Sequence, residues 1–502
     1  MGVFYSIEVY FKVKGKYVSK VKFLDSLKLL PFPVAKIPKA FNLDLEKLDL
    51  DYDTPREKGY ILKDYEIDYI KNDVRIVAQA LEIMFKEGLT KMTNASNSLY
   101  EYKKIIGEKR FNQYFPKINK EIDKEIRQAY KGVFCYVNPE IKECDVERTT
   151  DLDVNSMYPA KMLEDLPYGE GIFYDGKYIY DKEYPLYIQE IYCSFKIKKN
   201  KIPTIQIKDD LRYNENEYLT SSNGEIIPLV LTSVDLKLFL DHYDISEETY
   251  TKGIKFRSSN MLFKEFVDKW IEVKNKSRKE GNVPMTTIAK TILNSLYGKF
   301  ATSQELIVKI PYLGEDDLVH YKYSEIQEKE GIYLPVACFI TSLGREEVIR
   351  TSQKVVDYSI EKYGKNLYFY SDTDSLKCGL SIDELKRFCN IDDLKLGAWK
   401  HENVNPLNPK YSSIKARFVR QKTYLEELIV YDEDEDKYKS EVKITCAGMP
   451  KDCYKYVEWE KFKEGFTCGG KLRVVRLKGG IKLIETNFTI KNSDRKRELN
   501  LF

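Results

Sequence analysis

Three short segments of the sequence carry acids or a lysine at a spacing that could do phosphoryl-transfer chemistry. They are DLDVNSMYP at 151–159, KTILNSLYGKF at 290–300 and YSDTDS at 370–375. Mg²⁺ takes one or two protein carboxylates and fills its other octahedral positions with water and substrate phosphates, so such a site needs few acids, held rigidly. Asp153 and Asp374 could supply these carboxylates, and Lys290 could meet a triphosphate as a point charge.

Neighbouring groups extend this candidate site. Asp372 shares a strand face with Asp374 where the chain is extended, because side chains alternate with a period of two. The backbone carbonyl of Val154 could complete a ligand sphere around a metal ion. In the second segment, Lys290 lies on one helical face with Asn294 and Tyr297, which follow it at i+4 and i+7.

A sheet edge and a helical hairpin are needed to position these groups. The first and third segments close strand-like runs, whereas predicted helices at 263–276 and 286–300 flank a polar turn and form a hairpin. A further helix is predicted at 341–363, before a strand at 366–371. The front of the chain predicts strands at 3–13 and 20–24 and a helix from residue 64, and the end predicts a hairpin at 472–490.

Each segment alone also has an ordinary structural explanation. A DxD pair is commonly a solvated turn, and NSLYG is commonly a helix end capped by glycine. The conjunction of the three segments is what favours a functional site, because their acids, lysine and order all agree with one chemistry.

Taken together, the three segments resemble motifs A, B and C of family B DNA polymerases, in the family's order. The resemblance implies an α+β right-hand polymerase fold with palm, fingers and thumb. It implies two Mg²⁺ ions, with Mn²⁺ as an expected substitute, held by Asp153, Val154 and Asp374. The expected partners are primer-template DNA and deoxynucleoside triphosphates.

The same resemblance gives roles to further residues. Tyr158 resembles the family's steric gate, whose ring would clash with a ribose 2′-OH. Tyr297 and Gly298 would let the new base pair approach closely, and Lys274 is a weaker second candidate for a phosphate contact. Contacts with DNA are implied for Ser156 and for three elements resembling YxGG/A, Tx2GR and KxY, namely Tyr130 and Gly132, Thr341 and Arg345, and Lys422 and Tyr424. Val133 stands where the first of these elements has a small residue.

Two apparent insertions point to one branch of the family. Extra β-rich material near 165–261, a short finger hairpin and a second insertion at 302–335 resemble the protein-primed polymerases of small tailed bacteriophages. In that group the first insertion meets a terminal protein whose hydroxyl is the primer, and the second favours strand displacement and processivity. The predicted domains are a partial ribonuclease H-like exonuclease domain at 1–93, palm at 94–164 and 336–445, insertions at 165–261 and 302–335, fingers at 262–301 and thumb at 446–502.

The resemblance is incomplete at the front of the chain. Tyr69 and Asp73 match the YxxxD of the third exonuclease motif, but no DxE on an early strand precedes them. Asp44 and Glu46 have the right spacing, yet they lie in an acidic loop typical of solvated surface. We therefore expect the chain to begin within an exonuclease domain and to lack proofreading by itself. A separate polypeptide that supplies the missing segment would restore this activity.

Composition sets broader limits. The 502 residues, with 43% hydrophobic and 32% charged residues, predict several globular domains. The net charge of +3 does not by itself indicate a nucleic-acid binder. Nine cysteines without a CxxC spacing favour reduced thiols and a cytoplasmic protein, the host cytoplasm if the chain is of phage origin. The apolar stretches are too short for a membrane helix, and three histidines disfavour histidine-based hydrolysis or zinc.

Two other interpretations remain open at this point. The chain could be a catalytically inactive or incomplete remnant that only binds DNA. It could also be a polymerase that makes or copies RNA with similar palm acids, although Tyr158 and the DTDS form of the third segment disfavour this interpretation.

Overall fold

The computed structural model describes residues 6–51, 59–207, 217–307, 309–313, 319–477 and 480–491. The described residues combine helices and sheets and divide into two compact units. The first unit takes the described residues of 1–117, 259–303 and 331–333, and the second takes those of 118–258, 304–330 and 334–502. The predicted finger hairpin thus falls in the unit that contains the front of the chain. The finer seven-part division stays a prediction.

Most helices of the described residues lie in the ranges predicted as the front domain, the fingers and the palm, and α7 lies in the predicted first insertion. They are α1 (Ile37–Phe41), α2 (Asp64–Lys86), α3 (Asn94–Ile106), α4 (Glu108–Tyr114), α5 (Lys120–Arg127), α6 (Met157–Lys161), α7 (Ser233–His242), α8 (Lys264–Lys279), α9 (Val283–Ser295), α10 (Tyr297–Phe300), α11 (Leu334–Tyr363) and α12 (Ile382–Leu385).

The strands are spread along the chain. They are β1 (Ser6–Val13), β2 (Lys16–Leu24), β3 (Cys135–Val137), β4 (Asp145–Val154), β5 (Leu166–Asp175), β6 (Leu186–Ile197), β7 (Gln206–Ile207), β8 (Glu217–Tyr218), β9 (Ile227–Thr232), β10 (Tyr243–Ser259), β11 (Glu305–Leu306), β12 (Lys309–Leu313), β13 (Val319–Tyr323), β14 (Gln327–Glu328), β15 (Tyr368–Asp372), β16 (Ser375–Cys378), β17 (Trp399–Glu402), β18 (Ser413–Arg420), β19 (Thr423–Asp432), β20 (Lys437–Cys446), β21 (Thr467–Leu477) and β22 (Gly480–Thr489).

The first unit is built around an aromatic core between α3 and the α8–α9 hairpin. The rings of Tyr102 and Phe263 stack at 4.9 Å, and Phe115 meets Phe300 edge-on at 4.9 Å. These large buried rings hold the hairpin on the helices that precede it in sequence. In the same unit, β1 and β2 form an antiparallel hairpin whose apolar residues, such as Phe11 and Phe23, are exposed.

The predicted helix at 286–300 is wrong as a single element, because α9 ends at Ser295 and α10 begins at Tyr297. Two hydroxyls explain a break here. Thr291 donates to the carbonyl of Thr287, and Ser295 donates to the carbonyl of Thr291. Such back-bonding by serine and threonine competes with the helical ladder and bends helices.

The second unit is organised by one mixed-length sheet with the strand order β20-β19-β18-β4-β16-β15-β3, in which β17 also pairs with β4. Helix α11 belongs to the same unit, and most of its side chains are buried. It starts at Leu334, before the predicted residue 341. The prediction missed the first turns because a continuously apolar run has no polar residues that would reveal a helical period. The strands β4, β15 and β16 carry the first and third chemical segments.

Smaller sheets in the second unit correspond to the predicted insertions and thumb. The residues of the predicted first insertion form the sheet β5-β10-β6-β9 with α7, and those of the predicted second insertion contain the two hairpin pairs β11–β14 and β12–β13. The strands β21 and β22 form the predicted C-terminal hairpin. A disulfide joins Cys453 to Cys468, so the expectation that all cysteines are reduced thiols is wrong for this pair in the structure.

Candidate active site

The two acids predicted to hold metal lie at neighbouring positions of the main sheet. Asp153 is near the end of β4, and Asp374 is in the tight turn between β15 and β16. Strand β16 pairs antiparallel with β4 so that Ser375 is opposite Asp153. The backbone N–H of Val154 also donates to the carbonyl of Asp374 over 2.8 Å. Acids that are far apart in sequence are therefore brought together by strand pairing.

The turn that presents Asp374 has an unusual backbone. Thr373 has a φ of 66°, in the left-handed region, and its N–H donates to the carbonyl of Phe134 over 2.8 Å. Ser156, after the other acid, has a φ of 49°. Non-glycine residues in this region cost on the order of 1–3 kcal/mol each and cluster at functional sites. Both predicted metal segments thus contain a constrained turn.

The charges around the two acids of the DTD segment are unequal. Burial, together with repulsion from Asp372, raises the pKa of Asp374 above its usual range. The carboxylate of Asp372 is instead engaged by Lys422, whose Nζ lies 2.8 and 2.9 Å from its two oxygens. Burial lowers the pKa of Lys422, but the hydrogen bonds and charge of Asp372 outweigh this effect and raise it overall. A cation close to Asp374 would therefore stabilise its ionised form relative to its protonated form.

Tyr370 is a site residue that sequence reasoning missed. Its hydroxyl accepts the backbone N–H of Lys422 over 3.0 Å and donates weakly to Asp372 over 3.4 Å. Its ring lies 5.1 Å from the ring of Tyr424. Tyr370 therefore connects the third segment to the predicted primer-binding element. The signal in the sequence was its position two residues before Asp372 on the same strand face.

The predicted steric gate lies on the short helix α6. Tyr158 is half-buried and packs against the palm core, and Ser156 precedes this helix. A Cβ at Gly344 would lie 3.1 Å from Met157 and 3.9 Å from Tyr158. The glycine of the predicted Tx2GR element therefore allows α11 to lie close to the helix that carries Tyr158.

Thr341 and Arg345, predicted to contact template, are both buried. The Arg345 guanidinium forms an ion pair of 2.6 Å with Asp235 and donates to the carbonyls of Lys131 and Gly132 over 2.9 and 2.7 Å. The Thr341 hydroxyl donates to carbonyls of its own helix. The predicted DNA contacts of both residues stay predictions. The arginine links three parts of the second unit, namely α11, α7 and the segment that contains Tyr130 and Gly132.

In the first unit, the α8–α9 hairpin carries two of the predicted phosphate contacts. Lys290 is exposed on α9, and Lys274 lies on α8. Burial lowers the pKa of Lys274, and repulsion from Lys290 and Arg278 lowers it further. This mutual repulsion means that the two lysines share a positive region, which an anion would stabilise. On the following turns, Asn294 and Gly298 are exposed and Tyr297 is half-buried.

Tyr69 and Asp73 lie one helical turn apart on α2, as predicted, and both contact Lys47. The Nζ of Lys47 donates to the Tyr69 hydroxyl and lies 3.0 and 3.2 Å from the Asp73 oxygens. Burial lowers the pKa of Lys47, but the bonds to Tyr69 and Asp73 outweigh it and raise the pKa overall. Sequence reasoning missed Lys47, although it directly follows the Asp44–Glu46 segment.

The palm acids fit a hard divalent cation. Among the residues that the structure describes, no group of three or more histidine, cysteine or acidic side chains is arranged to hold a metal. A magnesium site does not need such a group, since one or two carboxylates suffice. Asp153, Asp374 and the carbonyl of Val154 are the groups that could hold it. In the same described part of the chain, no helix has the length and apolar character required to cross a membrane.

Comparison with known proteins places this geometry in a family. The model of type B DNA polymerases, organellar and viral, matches residues 54–395. The DNA polymerase of Bacillus phage phi29 is 41% identical over 501 residues, covering 98% of this chain and 83% of that protein. A crystal structure of phi29 DNA polymerase in an orthorhombic form has a TM-score of 0.89 at 40% identity, over 98% of this chain and 84% of that one.

A second solved structure includes substrates. In it, phi29 DNA polymerase is complexed with primer-template DNA and incoming nucleotide, and it matches with a TM-score of 0.87 at 41% identity, over 98% of this chain and 84% of that one. The right-hand polymerase fold expected from the sequence is thereby confirmed. The family uses divalent metal ions for nucleotidyl transfer, which agrees with the paired acids of the palm. The chain belongs to the type B DNA polymerases of organelles and viruses, and it is a DNA-directed DNA polymerase of the phage type.

Proposed function

We propose that this polymerase joins deoxynucleotides to a primer end through two Mg²⁺ ions held by Asp153, Asp374 and the carbonyl of Val154, with Mn²⁺ as a functional substitute. The observation that carries the proposal is the pairing of β4 with β16, which makes Asp153 and Asp374 neighbours. The raised pKa of Asp374 supports it, because a buried acid repelled by a second acid gains from a cation.

The chemistry divides between the ions and the protein. When bound, the ions would lower the pKa of the primer 3′-hydroxyl and offset charge on the α-phosphate and the departing pyrophosphate. Asp372 does not need to ligate metal, since Lys422 already balances its charge. Its role in this proposal is to orient Lys422 and the turn that carries Asp374.

The fingers supply the triphosphate contacts in this proposal. Lys290 and Lys274 repel one another in the absence of an anion, and a triphosphate would remove this cost. Asn294, Tyr297 and Gly298 follow on the same helical segment and would border the new base pair. The similarity to phi29 polymerase in complex with primer-template DNA and incoming nucleotides supports DNA and deoxynucleoside triphosphates as the substrates.

Tyr158 would select deoxyribose. Its ring is held by the palm core, and a rigid ring excludes a 2′-hydroxyl by steric contact more effectively than a mobile one. Residues proposed to touch DNA directly are Ser156, Tyr130, Gly132, Lys422 and Tyr424. Thr341 and Arg345 are further proposed template contacts. Because Arg345 is buried and donates to the carbonyls of Lys131 and Gly132, it would act through the segment at 130–132.

Protein priming is the finer proposal. The sheet β5-β10-β6-β9 of the first insertion would meet a terminal protein whose hydroxyl replaces the primer 3′-hydroxyl, and the second insertion would favour strand displacement. The support is the phage origin and high coverage of the similar polymerases. Replication of a phage genome would take place in the cytoplasm of the host cell.

Primer extension by the purified chain tests the central proposal. The wild-type protein should extend a primer with Mg²⁺ and deoxynucleotides, and Asp374→Asn should abolish extension. Asp434→Asn, in the exposed turn between β19 and β20, removes the same charge elsewhere in the second unit and should leave the rate unchanged. A folded wild-type protein that binds DNA without extending it would support the inactive remnant. Equal use of ribonucleotides would support the RNA-synthesising alternative.

A further inference from the structure

A buried cluster of three charged side chains lies in the main sheet near the proposed metal acids. Lys377 on β16 forms ion pairs with Asp151 on β4 and Glu426 on β19, over 2.5 and 2.6 Å. The three side chains are 6%, 6% and 0% exposed. We call these residues the buried triad. The chemistry proposed above does not use any of them.

The two carboxylates of the triad differ in how many hydrogen bonds they accept. Asp151 also accepts hydrogen bonds from Asn403 over 3.1 Å and from Thr149 over 3.3 Å. Oε2 of Glu426 has no hydrogen-bond partner among the described residues, and the nearest cation to it besides Lys377 is Lys443, at 3.9 Å. Lys377 is thus the group that holds two buried carboxylates together.

The charge states agree with this central role of the lysine. Burial alone would lower the pKa of Lys377, but Asp151 and Glu426 outweigh it and raise the pKa. Burial raises the pKa of Glu426 to about 7, with a further contribution from repulsion by Asp151. At neutral pH Lys377 is therefore charged, and it interacts with Asp151 and Glu426 at the same time.

The register connects the triad to the proposed site. Lys377 is directly opposite Asp151, and the next pair along the same two strands on that face is Ser375 with Asp153. Glu426 lies on the strand that begins just after Lys422, and Nζ of Lys377 is 5.2 Å from the ring of Tyr424. A slip of one residue between β4 and β16 would turn Lys377 to the other face and separate the triad. It would move Asp153 away from Asp374 at the same time.

Stability alone is a weak reason for such a cluster. Moving three charges out of water is costly, and apolar residues of similar volume commonly stabilise a protein equally well or better. Buried polar groups can instead specify one register out of several that an apolar contact would tolerate. Here the register in question is the one that sets the spacing of the proposed metal acids.

We propose that Lys377 is a positioning residue which, by joining Asp151 and Glu426, fixes the register of β4, β16 and β19 and thereby the spacing of Asp153 and Asp374. The inference deepens the proposed function and rests on it, because it assumes that these two acids hold the metal ions. Lys377 acts through the strands and does not touch substrate.

The test compares single and triple variants with two readouts. The readouts are Mn²⁺ affinity, measured by electron paramagnetic resonance on the full chain, and the Mg²⁺ concentration that gives half-maximal primer extension. We expect Lys377→Met to weaken both by about tenfold, while the affinity for primer-template DNA stays within about twofold. Lys443→Met, a matched loss of one lysine next to Glu426 on the exposed side, should leave both readouts unchanged.

The triple variant K377M/D151L/E426L separates positioning from stability. It replaces all three ionisable groups by apolar ones, so it should recover much of any thermal stability that Lys377→Met loses. If the triad sets the register, the triple variant still binds Mn²⁺ about tenfold more weakly than wild type. Wild-type Mn²⁺ affinity in the folded triple variant would overturn the proposal. So would a Lys377→Met protein that loses activity with unchanged metal dependence.

The conservative variant Glu426→Gln covers the case in which the larger changes prevent folding. It keeps the size of the side chain and an acceptor for Lys377, and we expect a shift of about twofold in the same direction. An unchanged metal dependence in this variant would also count against the proposal. Asp374→Asn separates this inference from the proposed function: if it still binds Mn²⁺ and extends primers like wild type, the proposed metal site itself is wrong.

Discussion

Two regions of this protein pair a lysine with an aspartate of a predicted metal-binding motif, and they differ in their electrostatics. In the palm, Lys422 engages Asp372, and the pKa of Asp374 remains raised by burial and by that same neighbour. On α2, Lys47 engages Asp73 with both carboxylate oxygens within 3.2 Å. In the palm, Lys422 balances Asp372 and leaves Asp374 unbalanced. On α2, Lys47 balances Asp73.

We infer from this difference that a carboxylate motif with an excess of negative charge is the better candidate to hold a cation. On α2, Lys47 pairs with the acid of the YxxxD motif, which weakens the electrostatic reason for a metal to bind there. A lysine that pairs with one acid of two leaves the other with a raised pKa. The same residue types in the same protein therefore point to a metal site in one region and to a structural ion pair in the other.

The largest expected effect comes from removing one acid in each region, Asp153 in the palm and Asp73 on α2. Asp153→Asn should lower the rate of primer extension by about a thousandfold or more, because it deletes a proposed ligand of the ions that assist the chemical step. Asp73→Asn should change the rate less than about twofold. Single-nucleotide incorporation at saturating substrate measures both. A comparable loss in Asp73→Asn would mean that α2 takes part in polymerisation.

A second test asks whether the cluster on α2 performs any excision. We expect no 3′ to 5′ removal of a mismatched primer end by the purified chain above the level of Asp73→Asn, since a two-metal exonuclease needs several carboxylates together. Degradation of an end-labelled primer without nucleotides measures this. Excision that is lost in Asp73→Asn would contradict the contrast between the two clusters.

A third test unbalances the palm cluster. Lys422→Met leaves Asp372 and Asp374 without the lysine, so the pKa of Asp374 should rise further. Because the ionised acid is the active form, activity is lost as the pH falls through this pKa, and the acidic limb of the rate profile should move to higher pH. We expect Lys422→Met to lose a larger share of its rate at acidic pH than wild type does.

Lys422→Arg serves as the control for that profile, because it keeps the positive charge. A merely weaker grip on the primer would lower the rate of Lys422→Met equally at all pH values. A profile of unchanged shape would therefore show that Lys422 does not set the charge state of the palm acids.

The smallest expected effect concerns stability. The free energy of unfolding should change in opposite directions in Asp374→Asn and Asp73→Asn. The folded-state pKa of Asp374 is raised, so its ionised form opposes folding once the pH exceeds the usual aspartate value. Asp374→Asn should therefore raise the free energy of unfolding by roughly 1 kcal/mol at neutral pH, and the gain should vanish below about pH 4. Asp73→Asn should lower it by about 1 kcal/mol or less, since its ion pair with Lys47 is partly exposed.

Thermal unfolding followed by circular dichroism, with and without Mg²⁺, measures both effects. Added Mg²⁺ should stabilise wild type and not Asp374→Asn, because ligands that bind only the native state stabilise it by mass action. Equal signs for the two variants would remove the electrostatic difference between the clusters.

Much of the candidate site could be predicted from the sequence because its motifs are local. The DxD turn, the helical lysine and the Tx2GR and KxY elements are each defined by a few adjacent residues. The finger hairpin and the palm strands were also predictable from periodicity and strand-end position. The break between α9 and α10 was not, because it depends on two hydroxyl groups that turn back on their own helix.

Contacts between segments that are far apart in the chain could not be predicted from the sequence. Arg345 looked like a DNA-binding residue by motif, yet its guanidinium is buried against Asp235 and two carbonyls of the segment at 131–132. Lys47 and Tyr370 became visible as site residues only after folding. The pairing of Cys453 with Cys468 likewise depends on the folded chain bringing two separate positions together.

The order of the motifs in the chain already determined the family and the type of reaction, because the reacting groups are chosen by chemistry and their types can be read residue by residue. Only the tertiary structure decided which acids share a neighbourhood and which lysine neutralises which acid. The physical reason is that a Coulomb interaction depends on distance and burial, and strand pairing sets both across more than two hundred residues of chain.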